Sequence, residues 1–297
     1  NGILHVTNPD KENVLFQTFF TGILEGIQKN KQHDDVVNKE YQNIMHTIRA
    51  EDKSENKDPE NQETEDSILN KDITSSEIKE AISKQETTDK ALDPDAIHPI
   101  ILKRLGPSAL SLLQKIYNWT LRTGEWLWPT AHVTFIRKEG KSNYSEPGAY
   151  RPIAIASYFG KIMERILDKR LKLKLDISGA IDNNQEGFLK SRSTTRYLFR
   201  LLCNLGEIKK KRLTSIILFL DFQKAFDSVH LPSLIVKLYR TGITGQILAL
   251  IHNFLFNRLV HLKINNYLGK ARTCLDFGLP QGSAPVSYTH LTLPTIE

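Results

Sequence analysis

The stretch SIILFLDFQKAFDSVHLPSL, residues 215–234, decides the fold class. Its first part, Ser215 to Asp221, is a continuous apolar run of strand length that ends in a carboxylate, which is typical of a strand covered on both faces. Pro232 then stands where a helix would begin, and apolar residues follow it at helical spacing. A buried strand followed by an amphipathic helix favours a fold of mixed helices and strands, α/β or α+β.

Patterns on both sides of this stretch predict further elements. Upstream, Thr74 and Glu77 form a capping-box pair at the start of one helix, and Gly124 stands just past the end of another. Downstream, two apolar stretches separated by a polar turn predict a hairpin. The predicted elements are the helix after Thr74, the helix Pro107 to Arg122, the strand His132 to Ile136, the helix Phe159 to Leu171 and the hairpin Leu259 to Phe277.

Charge is distributed unevenly along the 297 residues, although the net charge is only +6. Residues 34–95 hold 8 Lys/Arg against 18 Asp/Glu, whereas residues 137–212 hold 18 Lys/Arg against 8 Asp/Glu. The basic block is therefore the natural place for a polyanionic partner such as nucleic acid. A set of solvated helix faces would produce the same composition, and charge alone leaves both interpretations open.

Membrane and zinc-site functions find no support in the sequence. The longest strongly apolar run, Ile216 to Leu220, is far shorter than the roughly 20 residues that a membrane helix needs. The first residues lack a basic-then-apolar signal pattern, so we expect an intracellular protein. Cys203 and Cys274 have no partners spaced as in a zinc site, and we expect both to be reduced and buried.

Asp221 is the first candidate for chemistry. A carboxylate at the end of a buried strand needs a partner, because an unpaired buried charge is strongly disfavoured. That partner could be a metal ion, an arginine or the amides of a helix end. The alternative is an aspartate that merely caps the following turn, and the residues alone leave both possibilities open.

Four ordered blocks resemble reverse transcriptases. FLDFQKAFDSVHLPSL, residues 219–234, resembles motif A in the LDFxKAFDxVxHxxL form of non-LTR elements and group II intron proteins. FIRKEGK and AYRPIAIASYFGKIMERIL, within residues 135–167, resemble the finger block IPKPGK…YRPISLxSxxxKxxExxL. QEGFLKSRSTTRYLFRL, residues 185–201, resembles QxGFRxxxSTxxxLxxL, and GLPQGSA, residues 278–284, resembles the start of motif B. The resemblance to non-LTR (LINE-like, jockey-type) retrotransposons implies a right-hand polymerase fold, here fingers and partial palm only.

The resemblance also implies the residues of a nucleotidyl-transfer centre. In the family, the motif A aspartate joins the aspartates of a later [YF]xDD loop in holding two Mg²⁺ ions, so Asp221 is implied as catalytic metal ligand. Lys138 and Arg151 match the finger cations that grip the triphosphate. Phe226 matches the steric gate against a ribose 2′-hydroxyl, with ordinary core packing as its alternative. The other implied nucleotide contacts are Phe222, Gln281 and Gly282, and the implied template or structural residues are Gln185, Gly187, Ser193, Thr194 and Asp227.

The implied function is RNA-directed DNA polymerisation. The implied partners are an RNA template, a DNA primer and deoxynucleoside triphosphates, with no membrane partner and an oligomeric state left open. The parent element would work in the nucleus and cytoplasm. Two alternatives stay open, namely a nucleic-acid-binding remnant of a decayed element and a group II intron maturase-like protein.

The expected domain organisation has four parts. Residues 1–52 form a helical segment upstream of the polymerase, and 53–72 form a disordered acidic linker, because 53–66 contain no apolar residue. Residues 73–284 form the reverse transcriptase domain. Residues 285–297, PVSYTHLTLPTIE, resemble a translated sequencing adapter and are expected to be non-native. No [YF]xDD motif occurs, so the chain as written is expected to be an inactive fragment.

Several positions depart from the family pattern. The segment before the fingers, ALDPDAI, resembles APGPDGI but has Leu92 for the first proline, Asp93 for the first glycine and Ala96 for the last glycine. Arg137 and Leu189 replace a proline and an arginine of the finger blocks. None of these positions is an implied metal ligand. They are interpreted as drift in an old element copy.

Overall fold

A computed structural model describes residues 8–21, 31–52, 67–87, 91–187, 189, 192–221, 225–226, 228–273 and 278–279. The helices are α1 (Asn8–Phe16), α2 (Lys31–Asp52), α3 (Ser67–Asn70), α4 (Ser75–Ser83), α5 (Pro107–Thr123), α6 (Tyr158–Ile177), α7 (Thr194–Lys210), α8 (Leu231–Arg240) and α9 (Gly245–Phe256). The strands are β1 (Thr130–Arg137), β2 (Tyr150–Ala156), β3 (Leu259–Ile264), β4 (Tyr267–Leu268) and β5 (Arg272–Thr273). The predicted mixed α/β class is confirmed. None of these helices is both long and apolar enough to cross a bilayer.

Local sequence signals begin and end the helices where expected. The Thr74 hydroxyl accepts a hydrogen bond from the Glu77 amide at 3.2 Å, and the Glu77 carboxylate accepts one from the Thr74 amide at 2.9 Å. α5 ends at Gly124, whose φ of 69° is left-handed. A Cβ at this glycine would lie 2.8 Å from the Ala249 Cβ, so close packing against α9 requires glycine there as well.

The helices bury one large apolar core. α5, α6, α8 and α9 contribute fully buried side chains such as Tyr117, Ile162, Leu238 and Leu250. The Tyr117 hydroxyl donates to the Phe159 carbonyl at 2.8 Å, which satisfies the polar end of this buried ring. The expected apolar faces of α5 and α6 therefore pack inward.

α2 packs across the outside of this core. Ile44, Met45 and Ile48 are buried against it, as expected for the apolar stripe of an amphipathic helix. Glu40 accepts two hydrogen bonds from the Arg240 guanidinium of α8, at 2.8 and 2.5 Å. A bidentate pair of this kind fixes orientation as well as distance.

The sheet has the strand order β2-β1-β3-β4. β5 also pairs with β3, at Leu259 and Val260, on the edge that is not occupied by β1. β1 and β2 are antiparallel, with Ile136 opposite Arg151 and Arg137 opposite Tyr150. β1 and β3 are parallel and align His132 with His261. Because successive residues of a strand point to opposite faces, these pairs divide between two faces of the sheet.

α1 covers one of these faces. Phe16 is buried there with Val133, Val260 and Leu262. The buried carboxylate of Glu12 accepts hydrogen bonds from the Tyr267 hydroxyl at 3.0 Å and from Arg272 Nε at 3.1 Å. A buried charge needs such partners. α1 is therefore anchored to the hairpin end of the sheet.

The predicted strand Ser215 to Asp221 is wrong for the described structure. Residues 213–221 carry no regular secondary structure, and the side chains of Ile216, Phe219 and Leu220 are 94%, 79% and 80% exposed. A strand is stabilised by hydrogen bonds to a neighbouring strand. None of the described strands pairs with this segment.

Two further expectations need correction. The expected disordered linker 53–72 is ordered at its C-terminal end, because Leu69 of α3 is buried and Arg170 binds the carbonyls of Leu69 and Asp72. Cys203 is exposed, since no side chain of α7 is buried. Residues 53–66, Cys274 and residues 285–297 lie outside the described residues.

Candidate active site

The two implied triphosphate cations lie together on the β1–β2 hairpin. The amide of Lys138 donates to the Ala149 carbonyl at 2.8 Å, which continues the ladder one step beyond β1. Opposite residues of an antiparallel pair share a face, and so do residues two apart on one strand. One face of the hairpin therefore carries Lys138, Ile136 and Arg151. α1 covers the opposite face.

The electrostatics of this pair suit anion binding. Arg151 is exposed, and Ile136 beside it is 54% exposed, so this part of the sheet is open to a ligand. The Lys138 ammonium donates to the Gly148 carbonyl at 2.9 Å. That hydrogen bond holds the lysine against its own loop and leaves it two further donors.

A histidine pair occupies the same face further along the sheet. The rings of His132 and His261 lie 5.8 Å apart and nearly perpendicular, and His261 Nδ1 donates to the Gly269 carbonyl at 2.9 Å. Burial lowers the pKa of His132, and the charges of His261 and Lys263 lower it further. The sequence could not have shown this pair, because its members come from strands far apart in the chain.

Asp221, the implied catalytic metal ligand, is exposed at the end of the irregular segment 213–221. Among the residues that the structure describes, no group of three or more His, Cys, Asp or Glu side chains could hold a metal ion. An exposed carboxylate offers the hard oxygen donors that Mg²⁺ prefers, but one carboxylate does not form a site for two ions. Its convergence with Lys138 and Arg151 on one cleft stays a prediction.

Phe226, the implied steric gate, is half-buried against the helical core. Its carbonyl accepts a hydrogen bond from the Leu279 amide at 3.0 Å, and Arg258 donates to the Gly278 carbonyl at 2.7 Å. Core packing, the alternative role of this ring, is thus present in the structure, and the gate role stays a prediction. The other implied residues of these motifs, Phe222, Asp227, Gln281 and Gly282, lie outside the described residues.

The implied template residues lie in the connection between α6 and α7. The Gln185 side chain donates to the Gly187 carbonyl at 3.2 Å. Ser193 caps α7, since its hydroxyl accepts from the Arg196 amide at 3.2 Å, and Thr194 is the exposed first residue of that helix. These contacts are structural, and a template role for the four residues stays a prediction.

Several cations of the basic block 137–212 have structural partners. Arg170 is buried and binds Glu77, while Arg165 donates to the Ala81 carbonyl at 3.2 Å. The block is therefore less uniformly available to a polyanion than its composition suggests. Further ion pairs in the described part of the block include Lys169 with Glu80, Lys172 with Asp168, and Arg196 and Arg200 with Glu186.

Asp93 has a structural role that the sequence pattern did not indicate. Its side chain is buried, and one oxygen accepts from the amides of Asp95 and Ile97 at 3.1 and 2.8 Å. The other oxygen accepts from the Tyr158 amide at 2.8 Å, at the start of α6. Aspartate satisfies unpaired amides at a helix N-terminus. Asp93 thus fixes the helix that follows directly after β2, the strand of Arg151.

Comparisons with known proteins agree with these motifs. The family model described as "Reverse transcriptase (RNA-dependent DNA polymerase)" matches residues 136–291. The "RNA-directed DNA polymerase from mobile element jockey" of Drosophila melanogaster is 31% identical over 213 residues, which cover 71% of this chain and 23% of that protein. The "Probable RNA-directed DNA polymerase from transposon BS" of the same species is 30% identical over 220 residues, 73% of this chain and 24% of that protein.

A solved structure, "Partial Cas6-RT-Cas1--Cas2 complex", is 20% identical and has a TM-score of 0.37, covering 72% of this chain and 31% of that chain. The chain spans about a quarter of the length of the curated relatives named above. The family model covers more than half of the chain, and it spans the cations of the β1–β2 hairpin as well as Asp221. The chain belongs to the reverse transcriptase (RNA-dependent DNA polymerase) family, and its relatives are polymerases of non-LTR, LINE-like mobile elements.

Proposed function

We propose that this chain is part of an RNA-directed DNA polymerase of a non-LTR mobile element, which adds deoxynucleotides to a DNA primer on an RNA template. The family match carries the proposal, and the position of Lys138 and Arg151 on one open face supports it. Reverse transcription requires the fingers to hold a triphosphate. A pair of cations on one face of an antiparallel hairpin, with Arg151 exposed and Lys138 half-buried, is suited to that task.

The two cations would act differently on the triphosphate. Arg151 presents a planar fork that can bind two phosphate oxygens at once, which orients the nucleotide as well as neutralising charge. Lys138 acts as a point charge, and its hydrogen bond to the Gly148 carbonyl positions the ammonium. Preorganised donors of this kind stabilise the charge that develops during phosphoryl transfer.

Asp221 would supply one ligand of the metal centre in the complete polymerase. Two Mg²⁺ ions, when bound, activate the primer 3′-hydroxyl and neutralise the leaving pyrophosphate. The 297 residues contain one motif A aspartate and no [YF]xDD motif. We therefore expect this stretch by itself to bind nucleic acid without extending a primer.

The test compares Arg151→Gln with Lys141→Gln, an exposed cation of the same hairpin loop. In a polymerase that joins this stretch to a [YF]xDD loop, Arg151→Gln should raise the KM for deoxynucleotides and Lys141→Gln should not. Arg151→Lys should recover only part of the loss, because it restores charge without the fork. Asp221→Asn should abolish incorporation. A KM unchanged in Arg151→Gln would contradict the assignment of the hairpin face.

A binding experiment on the 297-residue chain tests the nucleic-acid part separately. Affinity for RNA should fall steeply as salt rises, because phosphate contacts release condensed counterions. The measurement is fluorescence anisotropy with a labelled RNA at several salt concentrations. Magnesium-dependent primer extension by this chain alone, or an affinity that does not change with salt, would contradict the proposal.

A further inference from the structure

A groove of about 650 Å³ lies between α1 and the β1–β2 hairpin. Arg137 and Tyr150 form the pair next to Ile136 and Arg151 in the ladder, so they lie on the opposite face of the sheet. The groove is therefore separate from the face that carries the implied triphosphate cations. Its walls include Lys11, Leu15, Phe135, Arg137, Tyr144 and Tyr150.

Two tyrosines form a fixed aromatic wall of this groove. The rings of Tyr144 and Tyr150 lie 6.3 Å apart at an angle of 72°. The Tyr144 hydroxyl donates to the Lys138 carbonyl at 2.8 Å, and the Tyr150 hydroxyl donates to the Tyr144 carbonyl at 3.0 Å. Both rings are held before any ligand arrives, so binding costs little side-chain entropy.

The charge of the groove is positive. The guanidinium of Arg137 lies over the Tyr144 ring, 5.1 Å from its centre, and Lys11 of α1 is exposed on the facing wall. Among the described lining residues, Lys11 and Arg137 are opposed by the single carboxylate of Glu146. Lys263 also borders the groove, but it is two residues from His261 on β3, so its side chain belongs to the opposite face of the sheet. Aromatic surface combined with cations is the arrangement that binds unpaired bases and their phosphates.

We propose that this groove binds single-stranded nucleic acid, with a base against the tyrosine wall and phosphates near Lys11 and Arg137. A single strand fits better than a duplex, because a duplex hides the faces of its bases in the stack. The proposal deepens the polymerase function and rests on it. It adds a binding site for one of the nucleic-acid strands of the polymerase reaction, on the face of the sheet opposite Arg151.

The groove is also connected to the implied triphosphate site. Tyr144 contributes its ring to the groove, and its hydroxyl binds the carbonyl of Lys138, whose side chain belongs to the other face. One hairpin loop thus joins the two sites. A strand held in the groove would steady the loop that positions Lys138.

The test measures binding of the 297-residue chain to a labelled single-stranded RNA of about 12 nucleotides and to DNA of the same sequence. Tyr144→Ala should weaken binding roughly 5- to 150-fold, which is the loss of one stacked base. Tyr144→Phe keeps the ring but loses the hydrogen bond to the Lys138 carbonyl, so it should lose clearly less affinity than Tyr144→Ala. Tyr197→Ala is the matched control, because Arg200 lies 5.8 Å over that exposed ring on α7, outside the groove.

Two further readouts extend the test, and the second is independent of hairpin folding because Lys11 belongs to α1. A 2-aminopurine base in the strand should be quenched on binding, and Tyr144→Ala should remove that quenching. Lys11→Gln should lower the slope of log affinity against log salt by about 0.7, whereas Lys103→Gln, an exposed cation outside the groove, should leave the slope unchanged. A preference for RNA or for DNA supports the proposal in either case and identifies the strand.

Three results would overturn the groove assignment. They are an equal loss of affinity in Tyr197→Ala, no loss in Tyr144→Ala, and a duplex that binds with the same dependence on Tyr144. The polymerase function can be tested apart from these outcomes. If Arg151→Gln still raises the nucleotide KM while Tyr144→Ala binds normally, the groove proposal fails and the polymerase proposal stands.

Discussion

Arg170→Met should destabilise the chain strongly, because Arg170 joins three parts of the fold. Its guanidinium binds both oxygens of Glu77 at 2.9 and 3.1 Å, and it donates to the carbonyls of Leu69 and Asp72 at 3.0 and 3.2 Å. The Arg170 side chain is 7% exposed and that of Glu77 is 22% exposed. Methionine fills the space but leaves the carboxylate and the carbonyls without these donors.

The size of the destabilisation by Arg170→Met follows from the loss of these hydrogen-bond donors. Removing one partner of a buried ion pair costs about 3–5 kcal/mol, and the lower end applies because Glu77 keeps its hydrogen bonds to Thr74. We therefore expect a loss of about 3 kcal/mol in the free energy of unfolding, and a Tm lower by about 6–12 °C. Urea unfolding, monitored by circular dichroism, measures the free energy of unfolding.

Lys169→Met is the matched control. Lys169 is the neighbouring cation of α6 and binds Glu80 of α4 at 2.6 Å, but the two side chains are 58% and 41% exposed. A solvent-exposed pair contributes at most about 1 kcal/mol. If Lys169→Met and Arg170→Met lowered the free energy of unfolding equally, the claim that burial makes the Arg170 contacts strong would be refuted.

The pH dependence gives a second check on the same pair. Burial alone would raise the pKa of Glu77, but hydrogen bonds from Arg170 and Thr74 and the Arg170 charge outweigh it and leave the pKa below its ordinary 4.5. A carboxylate with a depressed pKa stabilises the folded state above that ordinary value and loses this contribution as the pH falls. The free energy of unfolding of the original chain should therefore approach that of Arg170→Met as the pH falls below 4.5. A difference that stays constant on acidification would contradict this account.

Three other substitutions test separate features. Ala96→Gly should raise the free energy of unfolding by about 1 kcal/mol in urea titrations, because Ala96 has a left-handed φ of 58° that an alanine adopts at a cost. Burial lowers the pKa of His252, so stability should fall as the pH drops below 6.5, and His252→Gln should flatten that dependence in thermal melts. In a polymerase that joins this stretch to a [YF]xDD loop, Phe226→Ala should admit ribonucleotides in primer extension, whereas a purely structural ring would lower stability without changing sugar selection.

Local features of the fold could be predicted because short-range chemistry determines them. The capping box of Thr74 and Glu77 needs only residues three apart, and Gly124 satisfies a left-handed helix end that other residues disfavour. The turn after β3 places Asn265 at a φ of 54°, which asparagine tolerates better than most residues. The start of α4, the end of α5 and the turn after β3 therefore agree with the sequence patterns.

Long-range partners could not be predicted in this way. Glu12 and Arg272 are 260 residues apart, yet their ion pair anchors α1 to the sheet. No periodicity in either segment indicates the other. The groove beside α1 depends on the same placement, so a site formed by Lys11 and Tyr144 could emerge only from the folded chain.

The apolar run Ser215 to Asp221 shows a different limit. Its composition favours a strand, but a strand also requires a neighbour that accepts its hydrogen bonds. The described part of the chain provides none, and the run is largely exposed. The motif therefore identified the family correctly while the predicted local structure did not form.

Asp93 and Ala96 show how a departure from a family pattern can be structural. Glycine at position 96 would adopt the left-handed conformation without cost, whereas alanine needs the loop to hold it there. Asp93 provides such a constraint, because one carboxylate oxygen binds the amides of Asp95 and Ile97 on either side of Ala96. Its other oxygen binds the amide of Tyr158, so the same side chain fixes the start of α6. In this chain, therefore, the two departures act on the same loop, because the three amide contacts of Asp93 stabilise a turn that Ala96 strains.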